Sequence, residues 1–312
     1  MRVVSLLPAA TEMMYALGLG DELVAVSHDC DHPASVAKKP QITHCEIHGA
    51  WLSNAEVDQW VRRTLAERGT LYTIDEPLLR SLEPDVILTQ KLCDVCAPSY
   101  GSVAHLAATL PTPPQVVNLE PSRLVDIFAN IRAVAEVLGA PELGDAMVTR
   151  LERRVGVVRN RTRSVTSPRC IVLEWLDPPF CSGHWGPELV ELAGGYDPLG
   201  RKGSDSSQIP WQAVLDSRPE VLVLACCGNS VARTLEELPA LKGNAGWQEL
   251  PAVRNGRVFA LDGSAYFSRP GPRVVDSLEL LAGILHPELF PEWGPDRQPP
   301  NRVTRIDAAA LP

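Results

Sequence analysis

The chain of 312 residues contains no long apolar run, few aromatic residues and no excess of positive charge. It has no stretch of about 18 consecutive apolar residues, the pattern that a transmembrane helix needs. A formal net charge of −9 argues against a nucleic-acid-binding surface. We therefore expect neither membrane insertion nor a nucleic-acid partner.

Common catalytic and nucleotide-binding motifs are also missing. The sequence contains no Gly-x-Ser-x-Gly nucleophile elbow, no Walker A motif and no Gly-x-Gly-x-x-Gly after a strand. Asp29, Asp31 and Asp94 are acidic candidates, but no feature singles out a pair that would divide the roles of acid and base. The sequence thus predicts a protein without a catalytic function.

Residues 2–27 carry the most informative pattern that is present. A short apolar strand ends near Leu7, residues 8–12 form a turn, a helix is predicted over 13–19, and a second strand follows over 23–27. This β-α-β order predicts a parallel sheet and an α/β fold. Because the first strand begins at residue 2, we expect no leader and a cytoplasmic location; an upstream start would make the location periplasmic or extracellular.

The same alternation of strands and helices occupies two parts of the chain. We predict an N-terminal α/β lobe over residues 1–121, a helical connector over 122–160 and a C-terminal α/β lobe over 161–312. The connector is predicted from apolar residues at helical spacing between Leu124 and Leu138. The proline-rich tail after Pro287 is expected to lie along the surface.

Ligands of open parallel sheets bind beyond the carboxyl ends of the strands. In the first half of the chain, the turn over residues 8–11 offers backbone amides, and histidine, cysteine and aspartate side chains gather after the other predicted strands. The ligand-binding candidates there are Pro8, Ala9, Ala10, Thr11, His28, Asp29, Cys93 and Asp94.

In the second half, the loops that follow the strands concentrate the rare aromatic residues. Aromatic rings with a few polar groups suit a large, flat, partly apolar ligand; packing between domains is the alternative. His184 can contact a ligand or its metal ion, or else fix its own loop, and Arg269 can bind a polar ligand group or pair within the loops. The candidates are Trp175, Phe180, His184, Trp185, Tyr266, Phe267 and Arg269.

Cysteine and histidine spacing leaves a metal site open. Cys93-x-x-Cys96 can be half of a zinc site or a redox motif, and Cys30 and His32 can complete a ligand set. Ordinary buried thiols are the alternative. A looser cluster of His44, Cys45 and His48 predicts a solvated loop.

Several motifs resemble one known family. The opening residues 2–12, the segment 16–21 and the strand entry at 82–88 are similar to substrate-binding proteins of ABC importers for cobalamin and ferric siderophores. Segments 209–211 and 218–221 repeat this family's proline-containing strand entry in the second half. The motifs at 93–96, 183–185 and 269–273 resemble a subgroup labelled cobalamin-binding.

The resemblance covers essentially the whole chain and implies two Rossmann-like lobes joined by one long helix, with the ligand in the cleft between them. It implies a cobalamin-type corrinoid as the bound molecule, for uptake, trafficking or salvage, and an ABC importer permease as partner. Importer docking in this family uses a glutamate on each lobe; Glu76 stands near the first position, and Gln212 replaces the second. Two alternatives are a cytosolic zinc or redox protein using Cys93 and Cys96 with His28 and Cys30, and a corrinoid-modifying enzyme.

Overall fold

In the computed structural model, which describes residues 1–91, 98 and 100–307, the chain is a mixed α/β protein. It divides into two compact units. The N-terminal unit comprises Met1–Leu52, Glu56–Pro121 and Val125–Thr149; the C-terminal unit comprises Ser53–Ala55, Ser122–Leu124 and the chain from Arg150 onward. The α/β class and the two-lobed architecture are as predicted, while the boundaries at residues 121 and 160 stay a prediction.

The N-terminal unit is built on a parallel sheet of strand order β2-β1-β5-β6, with a separate antiparallel pair β3-β4. The strands are β1 (Val3–Ser5), β2 (Leu23–Val26), β3 (Thr43–Cys45), β4 (Tyr72–Ile74), β5 (Val86–Thr89) and β6 (Gln115–Asn118). The helices up to β6 are α1 (Pro8–Ala16), α2 (Asn54–Arg68), α3 (Glu76–Leu82) and α4 (Tyr100–Ala108).

Strands β1 and β5 are buried along their whole length, as expected for inner strands of a parallel sheet with both faces covered. Their apolar side chains form one hydrophobic core with those of the neighbouring helices. This core contains Val4, Leu6, Ala25, Ile42, Leu79, Ile87, Val103, Leu106, Ala107 and Leu110.

Helix α1 begins five residues earlier than the sequence pattern indicates. Pro8 is its first residue and Leu7 is the N-cap, so residues 8–12 are helix rather than turn. Proline is well suited to this position, because its fixed φ angle matches the helix and its missing N–H would have no intrahelical partner. The helix also ends at Ala16, before Gly18, whose φ of 78° terminates it.

Two consecutive helices, α5 (Leu124–Val137) and α6 (Pro141–Thr162), occupy the predicted connector. One set of apolar residues in α5 is buried at intervals of three and four, which confirms the helical spacing, whereas Val125 is exposed. Gly139, at φ 70°, separates the two helices. The buried residues of α5 are Leu124, Ile127, Phe128, Ile131, Val134 and Ala135.

The C-terminal unit is built on a mixed sheet of strand order β12-β11-β10-β7-β8-β9, in which β7, β10 and β11 are parallel. Its strands are β7 (Cys170–Leu176), β8 (Pro179–Cys181), β9 (Ser207–Gln208), β10 (Val221–Leu224), β11 (Val258–Leu261) and β12 (Val303–Ile306). Its helices after α6 are α7 (Gly186–Leu192), α8 (Trp211–Ser217), α9 (Val231–Lys242), α10 (Pro251–Arg254) and α11 (Val274–Leu285).

Two predictions for this unit were wrong. The tail after Pro287 does not only cover the surface, because residues 303–306 form β12, which pairs antiparallel with β11 and closes that edge of the sheet. Phe180, which was assigned to a loop, lies in β8, the second strand of a tight hairpin with β7. No helix among the described residues combines the length and the apolar character that a bilayer crossing requires.

Candidate ligand-binding site

The carboxyl ends of β1, β2 and β5 lie at one edge of the N-terminal sheet, because these strands are parallel neighbours. This edge brings the start of α1, which follows β1, close to His28 and Asp29, which follow β2. Three further predicted residues, Cys93, Asp94 and Cys96, lie outside the described residues.

Ala9, Ala10 and Thr11 lie in the first turn of α1, and their side chains are buried. The Thr11 hydroxyl donates a 2.8 Å hydrogen bond to Ser5 Oγ and lies 3.1 Å from Cys30 Sγ. A ligand can therefore reach this segment through Pro8, which is half-buried, or through the first-turn amides, which helix geometry leaves without intrahelical acceptors. The contact of Cys30 with Thr11 directs its thiol into the protein, and His32 is exposed.

His28 is buried and tightly held. Its Nδ1 lies 2.7 Å from Thr43 Oγ1, and its Nε2 lies 3.5 Å from a carboxylate oxygen of Asp29. The other Asp29 oxygen lies 3.3 Å from Nδ1 of His48. Thr43 belongs to β3, which shows that part of the segment predicted as a solvated loop is a strand with a buried Cys45.

In the C-terminal unit, Trp175 and Phe180 are paired residues of the β7-β8 hairpin. Directly opposed residues of antiparallel strands project their side chains from the same face, with Cβ atoms about 5 Å apart. Both rings are half-buried. The indole N–H of Trp175 donates a 3.2 Å hydrogen bond to the carbonyl oxygen of Asn54, so the ring has a defined orientation. The hairpin thus presents two neighbouring aromatic rings with part of their surface accessible.

Two polar residues at this hairpin, the half-buried Glu174 of β7 and the buried Asn54, were missed by the sequence analysis. Glu174 accepts a 2.5 Å hydrogen bond from Ser206 Oγ, and its burial raises the pKa of its carboxyl group to about 8. Asn54 donates its backbone N–H to Glu237 at 3.1 Å and accepts from Asn229 at 3.4 Å. The sequence did offer a sign of Glu174, because a charged residue inside a mainly apolar strand is unusual. Nothing in the sequence pointed to Asn54.

His184 lies between β8 and α7 with a φ of 48°. Its N–H donates to Ser204 O at 2.6 Å, and its Nε2 lies 3.3 Å from Asp205 Oδ1. Burial lowers the pKa of His184 although the nearby carboxylate opposes this shift. The imidazole is therefore held neutral at neutral pH, the state in which histidine ligates a metal ion.

The remaining predicted residues of this unit are mostly occupied by internal contacts. Trp185 is 6% exposed, and its indole N–H donates to the carbonyl of the buried Phe267 at 3.0 Å. Arg269 is buried and donates to Ser264 Oγ at 3.3 Å. The Tyr266 ring is half-buried. The Trp185–Phe267 bond joins two predicted loops, but it leaves little of either ring for a ligand.

The two positions implied in importer docking lie on the surface of their units. Glu76 is the exposed first residue of α3. Gln212 is exposed near the start of α8, where its side-chain amide donates a 2.8 Å hydrogen bond to Asp216.

Comparison with known proteins adds relatives of the same size. A vitamin B12-binding protein of Vibrio cholerae is 25% identical over 290 residues, covering 91% of this chain and 88% of its own. An uncharacterized ABC transporter substrate-binding lipoprotein, YvrC of Bacillus subtilis, is 22% identical and covers 93% and 82%.

Solved structures agree with the fold. The crystal structure of the periplasmic vitamin B12 binding protein BtuF of Vibrio cholerae superposes with a TM-score of 0.66 at 25% identity, covering 91% of this chain and 96% of that one. The periplasmic heme-binding protein RhuT from Roseiflexus sp. RS-1 superposes with a TM-score of 0.67 at 22% identity, covering 92% and 98%. At that lower identity the likeness concerns the fold alone.

The location expected from the sequence finds no support in these comparisons. A cytoplasmic protein was predicted from the start of the first strand, whereas the solved relatives named here are described as periplasmic. The family model described as periplasmic binding protein matches residues 3–265, which is most of the chain. The chain is therefore a member of the periplasmic binding protein family.

Proposed function

We propose that this protein binds a cobalamin-type corrinoid without transforming it, and delivers it to an ABC importer permease. The observation that carries the proposal is the Trp175–Phe180 pair, two half-buried rings on one face of the β7-β8 hairpin. A corrin ring is large and flat, and two accessible aromatic rings, one of them oriented by a hydrogen bond, suit such a ligand.

The names of the relatives support the same ligand class. Curated relatives that match over about nine-tenths of the chain are described as vitamin B12-binding proteins. Some structural neighbours are described as heme-binding, so heme is the competing flat ligand. The predicted contacts of Pro8, Ala9, Ala10, Thr11, His184, Tyr266 and Arg269 remain part of this proposal.

A titration with purified full-length protein tests the ligand. Cyanocobalamin, hydroxocobalamin and hemin are each added, and binding is followed by calorimetry and visible absorption. We expect one cobalamin per chain with submicromolar affinity, about 8 kcal/mol or more of binding free energy. Absence of binding to either cobalamin, or tighter binding of hemin, would reject the ligand.

Matched variants test the surface. Phe180→Ala should weaken cobalamin binding, because it removes one of the two paired rings. Tyr196→Ala is the control, because Tyr196 is 55% exposed and its backbone pairs with the amino end of β7, the opposite end from Trp175. Equal losses in both variants would remove the hairpin from the proposal.

A further inference from the structure

His28, Asp29 and His48 converge at the carboxyl end of β2, within the N-terminal unit. One ligand atom from each residue, an imidazole nitrogen or a carboxylate oxygen, lies within 4.8 Å of the other two. The carboxylate of Asp29 stands between the rings, 3.5 Å from His28 Nε2 and 3.3 Å from His48 Nδ1. Ligands bound to a tetrahedral ion at about 2.0–2.1 Å stand about 3.3 Å apart. Each imidazole nitrogen lies close to this spacing from one Asp29 oxygen, His28 Nε2 from Oδ2 and His48 Nδ1 from Oδ1.

The hydrogen bonds of Thr43 determine which nitrogen of His28 faces this group. Thr43 Oγ1 donates its only hydrogen to Ser27 Oγ at 3.0 Å. It accepts the backbone N–H of His28 at 3.1 Å and lies 2.7 Å from Nδ1. When the Thr43 hydrogen points to Ser27, Nδ1 carries the proton and Nε2 presents a lone pair.

That lone pair faces a carboxylate oxygen, which is also an acceptor. Two acceptors in this position are stabilised by a cation between them. The Thr43 contact is also the usual outer-shell arrangement of a metal-bound histidine, whose second nitrogen donates to a polar protein group.

We propose that His28 Nε2, the Asp29 carboxylate and His48 Nδ1 bind one divalent first-row transition metal ion. Two imidazoles and a carboxylate suit this class of cation rather than Ca²⁺ or Mg²⁺. The side chains of Asp29 and His48 are 38% and 52% exposed, so the outer side of the ion is open for a water molecule or another ligand.

This assignment gives His28 and Asp29 a metal-binding role in place of a direct contact with the corrinoid. It also differs from the metal set suggested by the sequence. Cys30 contacts Thr11 instead, and His48, twenty residues from His28, supplies the third ligand.

Zinc binding to chelator-treated full-length protein tests the proposal without any corrinoid, so its failure is distinct from failure of the proposed function. Competition calorimetry should show one Zn²⁺ equivalent that is lost in both His48→Gln and Asp29→Asn. His48 is half exposed, so its replacement should leave the fold intact, which circular dichroism checks. His44→Gln is the matched control, an exposed histidine of the same segment outside the group.

Two further variants complete the test. Thr43→Val should weaken zinc about 10–100-fold, the usual effect of removing an outer-shell partner. The double variant Cys93→Ser/Cys96→Ser should still bind the one Zn²⁺ ion that His48→Gln no longer binds. The proposal is overturned if the wild-type protein binds no zinc, if His48→Gln and Asp29→Asn bind it like the wild type, or if only the cysteine variant loses it.

Discussion

The indole N–H of Trp175 donates a hydrogen bond of 3.2 Å to the backbone carbonyl of Asn54, 121 residues earlier in the chain. Asn54 itself is buried and belongs to the short segment Ser53–Ala55 of the C-terminal unit. The bond holds the edge of the indole while part of its face stays accessible. Trp175 therefore has two separable roles, one in stability and one in the proposed binding surface.

Replacing Trp175 by phenylalanine or alanine separates these roles. Trp175→Phe keeps an aromatic face and loses the N–H, so we expect a loss of about 1 kcal/mol in stability and a cobalamin affinity within about threefold of the wild type. Trp175→Ala also removes the face and should weaken binding about tenfold. Urea unfolding and calorimetry measure the two effects. Equal affinities for the two variants would show that the ring does not contact the ligand.

His184 is the predicted cobalt ligand for hydroxocobalamin, and burial lowers the pKa of its imidazole, which favours the neutral form that binds metal ions. We expect a shift in the visible spectrum of hydroxocobalamin on binding that disappears in His184→Ala. His105→Ala, which alters an exposed histidine of α4, should retain the shift. A shift that persists in His184→Ala would assign the axial position to another residue.

The stability of the protein should fall as pH rises through the range between the ordinary and the raised pKa of Glu174. Burial raises this pKa from 4.5 to about 8, so the folded state retains a proton that the unfolded chain releases. The free energy of unfolding then decreases from about pH 5 to about pH 8. Glu174→Gln should flatten this dependence, as measured by urea unfolding across the range.

Glu136→Gln is the control for that experiment, because Glu136 is exposed on α5. It should leave the slope with pH unchanged. If Glu174→Gln and wild type show parallel curves, the carboxyl group titrates normally in the folded protein.

Gly183 should tolerate no side chain, because the segment 204–206 packs directly against it. A Cβ atom at this position would lie 2.3 Å from the backbone nitrogen of Ser206 and 2.5 Å from the carbonyl oxygen of Ser204. Gly183→Ala should therefore lower the free energy of unfolding by about 1–3 kcal/mol and disturb the neighbouring Ser206–Glu174 bond.

Gly156→Ala provides the opposite case. Gly156 lies inside α6, and a Cβ atom added there would meet no atom of the described residues within 4 Å, apart from its own helix backbone and chain neighbours. Alanine there should raise stability by about 0.5–1 kcal/mol, since it favours the helix. Urea unfolding of both variants measures the contrast, and a neutral Gly183→Ala would show that the 204–206 segment moves aside easily.

Local patterns in the sequence were sufficient for most helices and inner strands. Strands β1, β5 and β10 and residues 170–173 of β7 are mostly apolar and fully buried, because both faces of the sheet are covered there. The spacing of apolar residues along α5 indicates one buried face of that helix. The start of α1 was misplaced because proline was taken as a turn residue, whereas it is equally suited to the first turn of a helix.

Pairings between distant segments could not be obtained in this way. Strand β12 is short and contains Thr304 and Arg305, so its pattern gives no sign that β11 accepts it as an edge strand. His48 gave no signal of lying beside His28, because their contact depends on how the segment 27–48 folds back to place Thr43 and His48 against the end of β2. The conformational preferences of single residues do not predict such contacts between distant segments.

The amino-acid sequence alone thus indicated the α/β class, the two-lobed family resemblance and the strand ends where polar and aromatic residues gather, since each of these depends on order and spacing along the chain. The folded protein distinguished among the candidates by burial and by partners. It turned Trp185 and Phe267 inward, paired Trp175 with Phe180 across a hairpin where both stay half-buried, and joined His28, Asp29 and His48. These outcomes depend on packing between distant residues, which spacing along the chain does not encode.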